Sequence, residues 1–94
     1  MKYDVVNRRI WFKGEILNVN DAKVNVLAPT SQFGLNVFEG IPCYWNDDEK
    51  QLYAFRLDEH YERLIRSAKL IQFDLKYTKE DFKKALIDVV KANE

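Results

Sequence analysis

Short runs of apolar residues alternate with polar turn residues through the first part of the chain. Residues 10–12 and 16–19 are mostly apolar and flank Lys13 and Gly14, a pair that suits a tight turn. From residue 22 to residue 27 apolar and polar positions alternate, as they do on a strand with one buried face. The pattern therefore predicts a β-hairpin followed by a third, half-buried strand.

The middle of the chain combines a loop with a second pair of strands. Residues 28–34 have the composition of a loop that could hold a single helical turn. Residues 41–45 and 51–55 are rich in aromatic and branched side chains, and the polar residues 46–50 separate them. These features predict a second hairpin.

After residue 56 the apolar spacing changes to steps of three and four, which is typical of an amphipathic helix. The positions in the first such stretch are Leu57, Tyr61, Leu64, Ile65, Ala68 and Ile71. Thr78 and Asp81 then resemble a capping box ahead of a second apolar stripe. That stripe consists of Phe82, Ala85, Leu86, Val89 and Val90. Strands followed by helices predict an α+β domain, an antiparallel sheet of about five strands with two amphipathic helices packed on it.

Composition limits the partners and the setting of the protein. The chain has 94 residues, of which 47% are hydrophobic, so we expect one small domain. Fifteen basic residues balance fifteen acidic ones, which disfavours nucleic acid or an acidic membrane surface as a partner. A single cysteine excludes an internal disulfide, and we find neither a zinc-type spacing nor a signal or transmembrane segment. A cytoplasmic protein without membrane contact is expected.

Arg63 and His60 are the candidates for chemistry on the first predicted helix. The planar fork of Arg63 could bind a phosphate group, although a solvent-facing arginine paired with Glu59 is the alternative. His60 is the only histidine. It could act as a general base, or it could be a structural histidine bonded to a backbone carbonyl or a carboxylate.

Other reactive residue types favour structural interpretations. The acidic residues near His60 point in different directions on a helix and cannot surround one metal ion. Residues 47–49 lack the glycine and the distant glutamate of a calcium loop, so a solvated hairpin tip is expected. Cys43 has no evident activating partner, and we expect a small packing role for it. The sequence therefore predicts neither a metal site nor a catalytic side chain.

Several motifs together resemble those of the class IV aminotransferases, the family that includes branched-chain amino-acid aminotransferase. Residues 10–15 and 21–24 are similar to the opening hairpin and third strand of that family. Phe38, Glu39, Gly40 and Ile41 resemble its phenylalanine, glutamate, glycine signature. The family's helix motif is resembled by Phe55, Arg56, Leu57, His60, Arg63, Leu64, Ser67, Ala68 and Lys69. The resemblance covers nearly the whole chain.

The resemblance implies roles for three residues. It assigns Arg63 to the phosphate of the cofactor pyridoxal 5'-phosphate and Phe38 to the pocket for the substrate side chain. Phe33 stands where the family frequently has a tyrosine that reaches the substrate pocket of the neighbouring subunit, so this chain lacks that hydroxyl. Pro42 replaces an arginine that many members have.

The resemblance also implies an activity for the complete enzyme. This is amino-group transfer between a branched-chain amino acid and 2-oxoglutarate, carried out by a homodimer. The Schiff-base lysine of the family belongs to a following domain, so residues 1–94 are expected to be a truncated small domain that is inactive alone. Open alternatives are the small domain of a D-amino-acid aminotransferase or an aminodeoxychorismate lyase. A non-catalytic module that binds a partner through exposed sheet edges is a further alternative.

Overall fold

A computed structural model of the chain describes residues 7–93. The elements in chain order are β1 (Arg9–Phe12), β2 (Glu15–Asn18), a 3-10 turn (Val19–Asp21), α1 (Pro29–Phe33), β3 (Cys43–Asn46), β4 (Gln51–Ala54), α2 (Leu57–Leu70) and α3 (Lys79–Ala92). The α+β class is confirmed. Within the described residues the number of strands is four rather than the five predicted, and they form two separate antiparallel sheets of two strands each.

The first predicted hairpin is confirmed. Strands β1 and β2 pair from Arg9 with Asn18 to Phe12 with Glu15. The two residues between the strands, Lys13 and Gly14, have φ angles of 52° and 90°. Positive φ at both central residues is what a type I′ turn requires, and this turn matches the right-handed twist of paired strands.

The predicted third strand at residues 22–27 is wrong. Val24 and Val26 are exposed rather than half-buried. Asn25 bends the chain, because its side-chain Oδ1 accepts a hydrogen bond from the backbone N–H of Leu27 at 2.8 Å. Its carbonyl accepts the N–H of Ala28 at 3.0 Å. The backbone groups of this segment therefore serve a turn instead of a sheet ladder.

The bend leads directly into α1, the short helical turn expected in residues 28–34. Pro29 occupies its first position, where a missing N–H costs nothing and the fixed φ angle suits a helix. Gly34 ends it in the left-handed conformation with φ of 62°, and its N–H donates to the carbonyl of Pro29.

The second predicted hairpin is also confirmed. Strands β3 and β4 pair from Cys43 with Ala54 to Asn46 with Gln51. The loop between them is a solvated tip, as expected, in which Lys50 and Asp47 form an exposed ion pair at 2.8 Å. Cys43 is exposed on β3, so the packing role predicted for it is wrong.

The two long helices agree with the predicted apolar spacing. On α2, Tyr61 and Ala68 are buried, and on α3 Ala85 is buried. Helix α2 ends in a Schellman motif, in which the N–H of Phe73 donates to the carbonyl of Ala68 at 2.9 Å. Gln72 supplies the left-handed residue of this motif, with φ of 61°. No helix within residues 7–93 has both the length and the apolar character needed to cross a membrane.

The described residues form two compact units. The first unit comprises residues 7–36 and 80–93, and Asn93 fastens its last residues to β1 through two hydrogen bonds of 2.8 Å with the backbone of Arg9. The second unit comprises residues 37–79 and contains β3, β4 and α2. Large apolar side chains are exposed in both units, among them Leu27, Phe33, Phe38, Tyr44, Trp45 and Leu70.

Candidate functional site

The second unit brings Glu39 together with two basic side chains of α2. His60 and Arg63 are three residues apart on α2, so they lie on the same face of the helix. Glu39 lies in the segment between α1 and β3 that begins after Gly34. Its carboxylate side chain is only 8% exposed. A carboxylate this well covered needs charged or hydrogen-bonding partners to stay ionised.

Both carboxylate oxygens of Glu39 accept hydrogen bonds from α2. Arg63 donates through Nε to Oε2 at 2.6 Å and through Nη2 to Oε1 at 2.5 Å, which makes a two-pronged contact. The Nδ1 atom of His60 lies 2.8 Å from Oε1. The contact is therefore a three-residue cluster with one anion between two basic groups.

The cluster stabilises the ionised form of Glu39. Hydrogen bonds first from Arg63 and then from His60 lower the pKa of this carboxyl from 4.5 to about 2. The same hydrogen bond with Glu39, followed by its negative charge, raises the pKa of Arg63. The pair therefore remains charged throughout the physiological range of pH.

An open pocket of about 380 Å³ lies beside this cluster. Its lining residues are Phe55, Arg56, Glu59, His60, Arg63 and Arg66. Three of them are arginines and one is acidic, so the pocket favours a small anion with several oxygen acceptors. Arg56 begins α2 in the left-handed conformation, with φ of 50° and ψ of 48°. A non-glycine residue in this region is strained, and such strain is frequent at functional sites.

The structure decides between the alternatives for the two α2 residues in part. Pairing of Arg63 with Glu59 is wrong, because Arg63 contacts Glu39 and Glu59 lies 3.7 Å from Arg56. The structural interpretation of His60, bonded to a carboxylate, is confirmed. Arg63 lines the pocket, and its assignment to a phosphate stays a prediction.

The two phenylalanines predicted to bind substrate lie outside this pocket lining. Phe38 directly precedes Glu39, and its side chain is 85% exposed. Phe33 is the last residue of α1, is 82% exposed and belongs to the first unit. Their contact with a substrate stays a prediction.

Glu39 is the residue that sequence reasoning missed. It was visible only as the acidic member of the glycine-flanked segment from Phe33 to Ile41, without an assigned role. Its position between two glycines and beside an aromatic residue was the available signal. Residues 7–93 contain no group of three or more histidine, cysteine, aspartate or glutamate side chains placed to hold a metal ion.

Comparison with known proteins gives consistent matches. The family model for amino-transferase class IV matches residues 36–94. The branched-chain-amino-acid aminotransferase of Escherichia coli strain K12 is 40% identical over 84 residues, which are 89% of this chain and 26% of that protein. The chain spans about a quarter of the length of the curated relatives it matches, 27% and 26% for two of them.

Two solved structures are similar in fold as well as in sequence. Branched-chain aminotransferase from the thermophilic archaeon Thermoproteus uzoniensis with norvaline superposes with a TM-score of 0.85 at 46% identity, over 92% of this chain and 28% of that one. A bacterial branched-chain amino acid aminotransferase complexed with N-(5'-phosphopyridoxyl)-L-glutamate gives a TM-score of 0.85 at 33% identity, over 93% of this chain and 28% of that one.

Proposed function

Because the chain belongs to the class IV aminotransferase family, we propose that it forms the front part of the small domain of a pyridoxal-phosphate-dependent aminotransferase. The complete enzyme transfers an amino group between a branched-chain amino acid and 2-oxoglutarate. The names of the relatives support this substrate class, since the matched proteins from Escherichia coli and Thermoproteus uzoniensis are branched-chain aminotransferases. A neighbour complexed with a phosphopyridoxyl compound supports the cofactor.

The observation that carries the proposal is the arrangement of the Arg63 guanidinium. Two of its five N–H donors go to Glu39, which leaves three for a ligand. Two of those three lie on the outer edge of the guanidinium, where they can grip two phosphate oxygens at once. The Arg63 side chain is 59% exposed and lines the pocket. These residues fit the phosphate group of pyridoxal 5'-phosphate.

The chain contributes binding and shape rather than the covalent step. When bound, the cofactor withdraws electrons from the substrate and carries the amino group between the two acids. Arg63 holds and orients the phosphate, and the lysine that binds the cofactor covalently belongs to the larger remainder of the enzyme. The pocket lining among the described residues includes no lysine, which supports this division.

Phe38 and Phe33 line the substrate side-chain pocket in this proposal. Apolar rings suit the side chains of leucine, isoleucine and valine. Their large exposed areas support the idea that further protein, from the remainder of the enzyme or the second subunit of a homodimer, covers them. The homodimer and the cytoplasmic setting are parts of the same proposal.

Binding of pyridoxine 5'-phosphate to the chain tests the phosphate assignment. This compound has the phosphate but no aldehyde, so surface lysines cannot trap it covalently. We expect Arg63→Ala to weaken its binding by roughly tenfold or more, the scale of a lost charge-assisted hydrogen bond. Titration calorimetry against pyridoxine, which lacks the phosphate, isolates the contribution of that group. Arg8→Ala is the matched control, since it removes an exposed arginine of the first unit. Equal affinity of the Arg63→Ala variant and the wild type would refute the assignment.

A hybrid enzyme tests the substrate class. In this hybrid the chain replaces the matching 84 residues of the Escherichia coli relative. We expect it to use leucine, isoleucine and valine in preference to D-alanine. Phe38→Ala in the hybrid should raise the KM for leucine more than the KM for 2-oxoglutarate, because the apolar ring contacts only the branched side chain. Preference for D-alanine would favour the D-amino-acid aminotransferase alternative.

A further inference from the structure

We propose that Glu39 is a positioning residue that selects which edge of the Arg63 guanidinium faces the pocket. The inference rests on the proposed function, since it gives that orientation a phosphate to serve. Glu39 occupies Nε and one N–H of Nη2, so the guanidinium can present only its outer edge, formed by Nη1 and the second N–H of Nη2. That edge carries the parallel N–H pair that matches two oxygens of a phosphate.

The fixed position of Glu39 makes this orientation specific. Its side chain is nearly covered, and both of its oxygens are engaged by α2. His60 holds Oε1 from a position one helical turn before Arg63, at 2.8 Å. The carboxylate is therefore held at two points of one rigid helix and cannot swing away with Arg63. A free arginine side chain would instead sample many rotamers, and binding would have to order it.

Charge and position make opposite predictions for Glu39. Its negative charge reduces the positive potential that attracts a phosphate, so removal of that charge alone should tighten anion binding. Its hydrogen bonds order the guanidinium, so their loss should weaken anion binding. The sign of the change in affinity therefore identifies which effect dominates. We expect the loss of order to dominate, because both prongs of the contact are short and the carboxylate is covered.

Two substitutions at position 39 and one control separate the effects. Glu39→Gln removes the charge at nearly constant shape, whereas Glu39→Asp keeps the charge but shortens the reach by one methylene. Both should weaken the binding of pyridoxine 5'-phosphate by roughly tenfold, the scale set by the ordering of one long side chain. Glu59→Gln removes one negative charge from the same pocket and leaves the contacts of Arg63 with Glu39 in place. This control should bind the compound at least as tightly as the wild type.

Nuclear magnetic resonance of the ligand-free chain supplies a readout independent of binding. In the wild type the Nε–H signal of Arg63 should exchange slowly with water, because that hydrogen is donated to Glu39. The signal should exchange rapidly in Glu39→Gln and Glu39→Asp and remain protected in Glu59→Gln. Backbone spectra of each variant report whether the fold is intact. If Glu39→Gln unfolds, Glu39→Asp and the signal of Arg63 carry the test.

The outcomes distinguish this inference from the proposed function. Tighter or unchanged binding by both position 39 variants, with the Arg63 signal still protected, would overturn the positioning role. If Arg63→Ala does not weaken binding, the phosphate assignment fails. In that case the exchange rate of the Nε–H signal in the position 39 variants still decides whether Glu39 orders Arg63.

Discussion

Helices α2 and α3 each have fourteen residues and an apolar stripe, yet their polar faces are used differently. On α3 the ion pair between Lys84 and Asp88 is local, four residues apart and exposed. On α2 Arg63 and His60 reach Glu39, which is 24 and 21 residues away in sequence. A local surface pair adds little to stability, whereas a covered, two-pronged contact fixes the orientation of a side chain. The long-range polar contact therefore marks the helix that carries the site.

The start of α2 shows a second difference from a regular helix. Its N-cap residue, Arg56, has left-handed backbone angles and makes no side-chain capping hydrogen bond. A serine, threonine, aspartate or asparagine at this position would satisfy the free N–H groups better. An arginine retained there is explained by its place in the pocket lining. Local stability has thus been sacrificed on the face of α2 where positive charge is concentrated.

Substitution in the packed faces should have the largest effect and should remove the contrast between the helices. Ala68 on α2 is 1% exposed and Ala85 on α3 is 7% exposed. An aspartate at either position buries a charge without a partner, which costs about 3–5 kcal/mol in comparable cases. That is a large part of the stability of a small domain. Denaturant unfolding should show a severe loss for Ala68→Asp and a similar or slightly smaller loss for Ala85→Asp.

Lys69→Ala is the control for this experiment, because Lys69 is exposed and adjacent to Ala68 on the same helix. Its free energy of unfolding should stay close to that of the wild type. A small effect of Ala68→Asp would mean that the inner face of α2 is not packed as described.

The pH dependence of stability should sharpen the contrast, with a smaller effect than a buried charge. The folded state lowers the pKa of Glu39 to about 2, so the contribution of the ionised carboxylate is present above its unfolded value of 4.5 and is lost as pH falls towards 2. The groups that face this carboxylate are Arg63 and His60. We therefore expect wild type to be more stable than Glu39→Gln near neutral pH, with the difference shrinking below pH 4.5.

Urea midpoints of the two proteins, measured from neutral pH down into this acid range, test the expectation. Comparison with Glu39→Gln cancels the titration of the other acidic groups, including Asp47, whose pKa is lowered mainly by its hydrogen bond with Lys50. A difference between the midpoints that is the same at all pH values would contradict the assigned role of ionisation at Glu39.

The sequence predicted what depends on neighbouring residues. Both hairpins and both long helices follow from turn residues and from apolar spacing, which act over a few positions. The alternation at residues 22–27 was misleading, because a strand also needs a partner strand and Asn25 turns the backbone away. The pairing of Arg63 failed for a related reason. The four-residue rule pointed to Glu59, whereas the actual partner, Glu39, is brought to α2 by the tertiary fold.

The smallest predicted effect concerns the left-handed start of α2 at Arg56. Glycine adopts this conformation without the steric clash of a Cβ atom, whereas alanine retains the clash. Both substitutions remove the guanidinium and its 3.7 Å contact with Glu59, so their comparison isolates the backbone. We expect Arg56→Gly to be more stable than Arg56→Ala by about 0.5–1 kcal/mol in denaturant unfolding, after the greater flexibility of glycine in the unfolded chain is included. Lower stability of the glycine variant would show that α2 begins without strain and would leave the contact of Glu39 with Arg63 as the feature that separates the two helices.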